Sequence, residues 1–568
     1  MSEITLNIID SSLRIGLVAG VNSSGISINL FHAGLKSGSY HQGGRYGRGE
    51  VGEIVLIEGQ TTLIIGKIVD VRLPEKERTT LQPQLDKSGS IDAIAYIQIL
   101  GSVNIRTLGV TAGVTNYPRI GDIVYSATTE FLSVLPQLTD CDYLSLSEHS
   151  ISIDIGSVSD SSLNNVKITP EKLFGRHCAI LGSTGGGKSW TTARIIQECA
   201  KFNNAKLIVL DATGEYRSLP STYTTHMHLG EPINKHPNSK PFLIPPTDFE
   251  ESDFLTLFEP SGKVQGPKLR AAIRSLRLAR LAPEAADNGV IKKIGSSKDR
   301  YRAALNKNDN ASLVDKPSQP FDVHKLVSQI RQECHFVNGD GSWGNENLNE
   351  TSYCSSLFTR ILGVIHSSSF DSVFSKKGHP SLENTINTFL TSDKKVLRLC
   401  MSDTSYEFNA RQILANVIGR KMLSFARLLK FSSKPILVVV DEAHNFLGKR
   451  VGFDEYSIKL DSFEIIAKEG RKYGLNICLT TQRPRDITEG VLSQMGTLLV
   501  HRLTNSNDRE IIERACGEVD KSIISFLPNL KQGELTVVGV DFPIPLTVQV
   551  HKPDPKPFSD SPSYQQLW

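Results

Sequence analysis

The sequence predicts an α/β core with a mainly helical insertion, preceded by a small all-β domain. Three observations predict it. A glycine-rich loop sits between a short apolar strand and a helix, further continuous apolar strands alternate with helical stretches from Arg176 onward, and β-branched runs broken by turn residues fill the chain before it. On these grounds the chain divides into a β-barrel over 1–150, a core over 165–545 with an insertion at about 220–395, and a C-terminal extension over 546–568.

The β-domain rests on "ITLNII", "GEIVLIEG", "TTLIIGKIVDVRL", "AIAYIQILGSV" and "GDIVYSA", short strands without helical periodicity separated by Gly, Pro, Asn and Ser. Such spacing suits a small barrel or sandwich. The polar stretch 157–173 then marks a domain boundary.

The core begins at "AILGSTGGGKSWTTARII" (179–196). Gly182, Ser183, Thr184, Gly185, Gly186, Gly187, Lys188 and Ser189 satisfy G-x-x-x-x-G-K-[ST], with Trp190 next in line. In this motif backbone N–H groups surround nucleotide phosphates, and glycine is required because a Cβ would block both the positive-φ turns and the approach of the anion. "HCAIL" reads as the strand before the loop and "SWTTARIIQECA" as the helix whose N-terminus faces the phosphates. The further core strands are "KLIVLD" (206–211), "KVLRLCMSD" (395–403), "PILVVVDEAH" (435–444), "NICLTTQRP" (476–484) and "TLLVHRL" (497–503), apolar throughout as in a sheet covered on both faces.

Hydrolysis of a bound ATP needs more than a phosphate loop. The strand that ends in Asp441 and Glu442 offers one carboxylate for a Mg²⁺ shell, which the Ser189 hydroxyl would complete, and one to orient the attacking water. Gln482, at the end of another strand, is either a sensor of the γ-phosphate or a polar strand cap. Arg471 and Lys472 stand at a helix end, where an arginine either neutralises transition-state charge or complements the helix C-terminus. The letters "DEAH" do not indicate the helicases named for them, because a long insertion separates Asp441 from Lys188 and no second helicase core follows.

Lys+Arg 63 against Asp+Glu 60 leaves a nearly neutral chain, so any nucleic-acid contact must come from a local patch. One candidate is the basic helix 267–281, where Lys268, Arg270, Arg274, Arg277 and Arg280 surround an apolar stripe; a solvated or subunit-facing helix is the competing explanation. The polar stretch 292–320 is expected to be mobile. The eight cysteines form no C-x-x-C pair, the N-terminal residues carry no leader pattern, and no apolar run is long enough to span a bilayer; a soluble cytoplasmic protein with reduced thiols and no membrane contact is expected.

Taken in order, "RHCAILGSTGGGKS", "LDATGEY", "VVVDEAHNFL", "AKEGRKYGLNICLTTQRP", "VLSQMGTLLVHRLTNSND" and "GELTVVGVDFPIPLTVQV", behind a β-rich segment, resemble the HerA family of hexameric DNA-translocating ATPases. The resemblance implies a RecA-like P-loop core with a HAS-like barrel, a homo-hexamer with ATP bound between subunits, and duplex DNA as the polymer it acts on. It makes Arg471 a finger acting across the subunit boundary and Arg176 a second interface candidate. It also implies a separate effector, a nuclease or a sirtuin-like protein, since this chain carries no nuclease motif; phage defence and DNA end resection are the settings. "DATGEY" departs from the family's D-P-H-G-E-Y while keeping Asp211, Gly214, Glu215 and Tyr216, whose part in the site or in a subunit contact stays open. Against the motor stands a second reading, a ring that assembles and activates a partner without travelling along DNA.

Overall fold

The structure, a computed structural model, describes residues 8–23, 25–31, 39–41, 44–46, 49–73, 93–114, 116–139, 151–158, 164–316, 319–340, 342–374, 378–405, 407–447, 450–451, 458–516 and 521–559. It forms two compact units, the first from 1–205 and 476–557 and the second from 206–475 and 558–568.

The first unit opens with a closed barrel. Gly25–Leu30, Arg14–Asn22, Ile123–Ser126, Ile54–Ile57, Thr62–Arg72 and Ala93–Asn104 pair in that order, all antiparallel, and Ile26 opposite Ile97 closes the ring. Period-2 alternation sorts the side chains. Val55, Ile57, Ile64 and Ile68 join Ile15, Ile28 and Val124 inside, whereas Leu56, Leu63 and Ile65 pack outside against Phe131 and Leu135 of helix Thr129–Leu138 and against Ile544. Closure leaves no edge in the six-stranded ring, and register shifts at Ile65/Gly66 and Ile68/Asp70 bend its longest hairpin.

The same unit holds strands ordered Asn165–Ile168, Ile153–Val158, Phe542–Val550, Glu534–Gly539, Thr497–His501, Cys178–Leu181 and Leu475–Thr481. Cys178–Leu181 runs parallel to both of its neighbours, and the remaining pairings are antiparallel. In the second unit Ile436–Val440, Lys206–Asp211, Val396–Cys400, Thr224–His228 and Lys240–Pro241 pair in that order, all parallel. The strand Thr224–His228 lies where the sequence reading placed the start of the insertion.

The segment 220–395 is mainly helical, with Gly262–Leu281, Ser355–Ile365 and Leu382–Thr391 as its longest helices and a small hairpin of His335–Val337 with Trp343–Glu346. The stretch expected to be mobile is instead packed. Helices Asp299–Asn306 and Asn310–Leu313 bring Ala304 and Val314 onto Leu278, Ala279 and Ile291. Lys293 pairs with Glu333 at 2.6 Å, both buried, and Ser275 and Gln329 donate to the other carboxylate oxygen of Glu333. Composition misled here because a few buried anchors, Lys293, Ala304, Asn310 and Val314, hold a stretch whose other polar residues stay largely in solvent.

The basic helix is also explained locally. Lys268 pairs with Glu350, Arg270 with Glu251 and Arg274 with Asp315, while buried Arg277 donates to the Val314 carbonyl; Arg280 is exposed. Among the described residues no helix is long and apolar enough to cross a membrane.

Candidate functional site: a phosphate loop and an acidic loop

The strand Cys178–Leu181 is wholly buried and delivers the chain into the glycine loop. Gly185 and Gly187 adopt φ of 76° and 117°, a region that other residues enter at a cost. At Gly187 a Cβ would also come within 3.1 Å of the His501 ring. The amide and the hydroxyl of Ser183 both donate to the Arg502 carbonyl, at 3.0 and 2.9 Å, which pins the loop to the neighbouring chain segment. Lys188 turns its ammonium into the loop and donates to the Ser183 carbonyl at 3.2 Å. Helix Lys188–Ala200 has glycine as its N-cap and no side-chain cap, an N-terminus whose N–H groups and dipole favour negative charge at the loop. Half-buried Ser189 and Trp190 lie in its first turn, and the ammonium of Lys556 stands 5.5 Å from the Trp190 ring centroid.

Gln482 reaches the same loop, where its side-chain carbonyl accepts from the Thr184 hydroxyl.

A residue that the sequence reading passed over supports the loop from behind. His501, at the end of Thr497–His501, is fully buried; its Nδ1–H donates to the Glu534 carbonyl at 2.8 Å, which leaves Nε2 to accept from Thr191 at 2.9 Å. Burial pushes its pKa down to about 4, against the hydrogen bond to Glu534 and with help from the Lys188 charge. The imidazole is therefore neutral and holds the helix beneath Lys188 without adding charge.

Arg176 stands at the opposite end of strand Cys178–Leu181 from the loop, half exposed and 3.5 Å from Asp541. Arg471, exposed, likewise precedes the parallel strand Leu475–Thr481 that Gln482 follows. Arg176 therefore does not share the strand end that carries the loop.

The second unit holds an acidic loop of its own. Asp211 ends its strand fully buried and accepts four hydrogen bonds: from the amides of Gly214, Glu215 and Tyr216 at 2.8, 3.1 and 3.1 Å, and from Arg398 Nε at 2.7 Å. Arg398 is itself 1% exposed, and although burial opposes its charge, Asp211 raises its pKa above the ordinary arginine value. The loop so fixed presents Tyr216 Oη and Thr213 Oγ1 to the two carboxylate oxygens of Asp441, at 3.4 and 3.5 Å. Glu442 follows with φ of 47°, unusual for a side chain of its size, and its carboxylate lies 3.1 Å from His444 Nδ1.

Among the described residues no three or more His, Cys, Asp and Glu side chains are grouped to hold a metal ion. Mg²⁺ is held through one or two carboxylates or hydroxyls plus substrate phosphates. Buried Asp441 and the Ser189 hydroxyl are hard oxygen donors of that kind.

The profile described as "Helicase HerA, central domain" matches residues 153–332. The chain is 26% identical over 515 residues to a probable helicase of Methanocaldococcus jannaschii, covering 88% of each, and 24% identical over 477 residues to the DNA double-strand break repair helicase HerA of Pyrococcus furiosus, covering 81% of this chain and 78% of that one. The chain is a HerA-like ATPase. Among solved structures, VirB4 of Thermoanaerobacter pseudethanolicus aligns with 71% of this chain and 97% of its own at 14% identity and a TM-score of 0.42.

In this HerA-like ATPase the sequence signal for the two residues passed over was visible in retrospect. His501 and Arg398 are polar residues inside otherwise apolar core strands, "TLLVHRL" and "KVLRLC", and a buried polar residue is the informative exception in such a strand.

Proposed function

We propose that the HerA-like chain assembles into a six-membered ring in the cytoplasm that uses ATP hydrolysis to move duplex DNA and pass it to a separate effector, a nuclease or sirtuin-like protein, in end processing or phage defence. Similarity over 81% of the chain to a DNA double-strand break repair helicase is the observation that carries this reading. The loop amides and Lys188 bind the ATP phosphates, with Trp190 beside them. Ser189 and Asp441 would hold Mg²⁺, which when bound supplies neutralisation of charge on the phosphate oxygens. Glu442 orients the attacking water and accepts its proton, and Gln482 relays phosphate occupancy through Thr184. Arg471, and Arg176 at the strand end away from its own loop, act on the nucleotide of the adjacent subunit.

Mixing tests that last assignment. Rings of Arg471→Ala and of Lys188→Ala are each inactive, and verified mixed rings recover hydrolysis if the arginine acts across the boundary; no recovery counts against it.

The second reading, a ring that activates its effector without travelling, draws support from the basic helix, whose cations are largely taken up by carboxylates of the same chain. ATPase rates with and without duplex DNA, alone and with the product of the neighbouring gene, separate the two. Stimulation by DNA alone supports the motor, and stimulation only by the partner supports the scaffold.

A further inference from the structure

The acidic loop contains a relay that no hydrolysis step explains. Arg398 and Asp211 stand on neighbouring parallel strands, with Arg398 opposite Val209 and Asp211 opposite Cys400. Asp211 spends both oxygens on the loop that follows it and on Arg398, so it has no capacity left for a metal or a water. Its output is the position of Tyr216, whose ring is buried and whose hydroxyl faces Asp441 Oδ1, with Thr213 facing Oδ2. We propose that Arg398, Asp211 and Tyr216 are positioning residues that orient the Asp441 carboxylate for Mg²⁺, a role that rests on the reading of Asp441 as metal ligand given above.

The physical reason is geometric. Mg²⁺ tolerates little departure from octahedral coordination, so a carboxylate free to rotate about its last bond wastes affinity. Hydroxyls on both oxygens of Asp441 define the plane of that carboxylate, as outer hydrogen bonds do for metal ligands generally. The contacts of 3.4 and 3.5 Å are at the long end for hydrogen bonds. Arg398 makes the relay rigid. A guanidinium at Nε fixes direction as well as charge, which a lysine ammonium does not.

The test uses the full-length chain. Tyr216→Phe removes one oxygen and keeps the ring, and Arg398→Lys keeps the charge and loses the directed Nε donor. Mn²⁺ is titrated into each protein saturated with ADP and followed by electron paramagnetic resonance, alongside Mg²⁺ activation curves for ATPase and ADP affinity in EDTA. The expected result is Mn²⁺ binding weaker by about 10-fold or more in both variants and a matching rise in half-saturating Mg²⁺, with metal-free ADP affinity unchanged. Unchanged Mn²⁺ affinity in Tyr216→Phe overturns the relay even if turnover falls, and that variant decides alone if Arg398→Lys fails to fold. A wild-type chain that binds nucleotide and Mn²⁺ yet hydrolyses nothing overturns the proposed function instead and leaves the metal comparison to be read by itself.

Discussion

Around 182–189 the restraints are glycine conformations, backbone carbonyls and a neutral imidazole; around Asp211 and Asp441 they are a buried carboxylate, a guanidinium and a phenol. The loop must accept a highly charged ligand and let it go, so a support without charge of its own neither competes with the phosphates nor repels them. The acidic loop must hold one carboxylate still, and a buried ion pair fixes direction where a backbone turn would leave rotation. The difference predicts that damage to the first region is felt in nucleotide binding and damage to the second in hydrolysis and fold stability.

The largest expected effect separates the two functions outright. Lys188→Ala abolishes or greatly weakens ATP binding, because the phosphates lose the loop's ammonium. Glu442→Gln binds ATP and loses hydrolysis by roughly 10²–10⁴-fold, the usual worth of a general base. Equilibrium binding of a fluorescent ATP analogue and single-turnover hydrolysis read both. Wild-type hydrolysis by the glutamine variant removes Glu442 from the water-orienting role.

Next comes the charge-held region. Asp211→Ala leaves Arg398, 1% exposed, without its carboxylate, and breaking a buried pair from one side costs about 3–5 kcal/mol. Denaturant unfolding of the variant should show that loss, and a change below about 1 kcal/mol would mean that water or a neighbour replaces Asp211.

These two regions also differ in how far the sequence discloses them. The phosphate loop is legible because its demands are local: positive φ, no Cβ and a lysine at a fixed offset fit in eight consecutive residues. Asp441 and Glu442 are legible because they end an apolar strand. Arg398 is not, since its partner Asp211 lies 187 residues away and no pattern within a window links them. His501 is hidden likewise, its bond to Thr191 spanning 310 residues. The barrel strands are readable one by one, but the closure of the ring through Ile26 and Ile97 is a long-range pairing. In 292–320 the polar composition argues for mobility only while the burial of Lys293 against Glu333 is out of sight.

The neutral support of the loop gives a pH signature. His501 has a folded pKa of about 4 against an ordinary 6.5, so the unfolded chain binds its proton first as pH falls. Its contribution is fully present above about pH 6.5 and is lost on the way down to pH 4, in total about 3 kcal/mol. His501→Asn, neutral at every pH, should show a shallower loss of stability between pH 7.5 and 5 than the wild type does, with about 2 kcal/mol between the two slopes. Parallel slopes would mean that the imidazole is already solvated or charged.

The smallest effect is expected where charges pair in water, on the helix Gly262–Leu281, and it marks the limit of the comparison. Arg274 and Asp315 are bonded at 2.9 Å with side chains 42% and 61% exposed, and Arg270 with Glu251 is similar. Unlike Asp211 and Arg398, these groups were never fully taken out of water, so little is lost when they part. Arg270→Ala and Arg274→Ala should each change stability by about 0.2–1 kcal/mol, less at high salt. The same pair of substitutions tests whether the helix touches DNA. Each cation that neutralises a phosphate contributes about 0.9 to the slope of log affinity against log salt, so a double variant on a DNA-contacting face would lower that slope by about 2. With both arginines already engaged by carboxylates of their own chain, the slope should stay where it is. A drop would mean that DNA displaces Asp315 and Glu251, turning an intramolecular ion pair into a phosphate contact and moving the polymer's path onto the insertion.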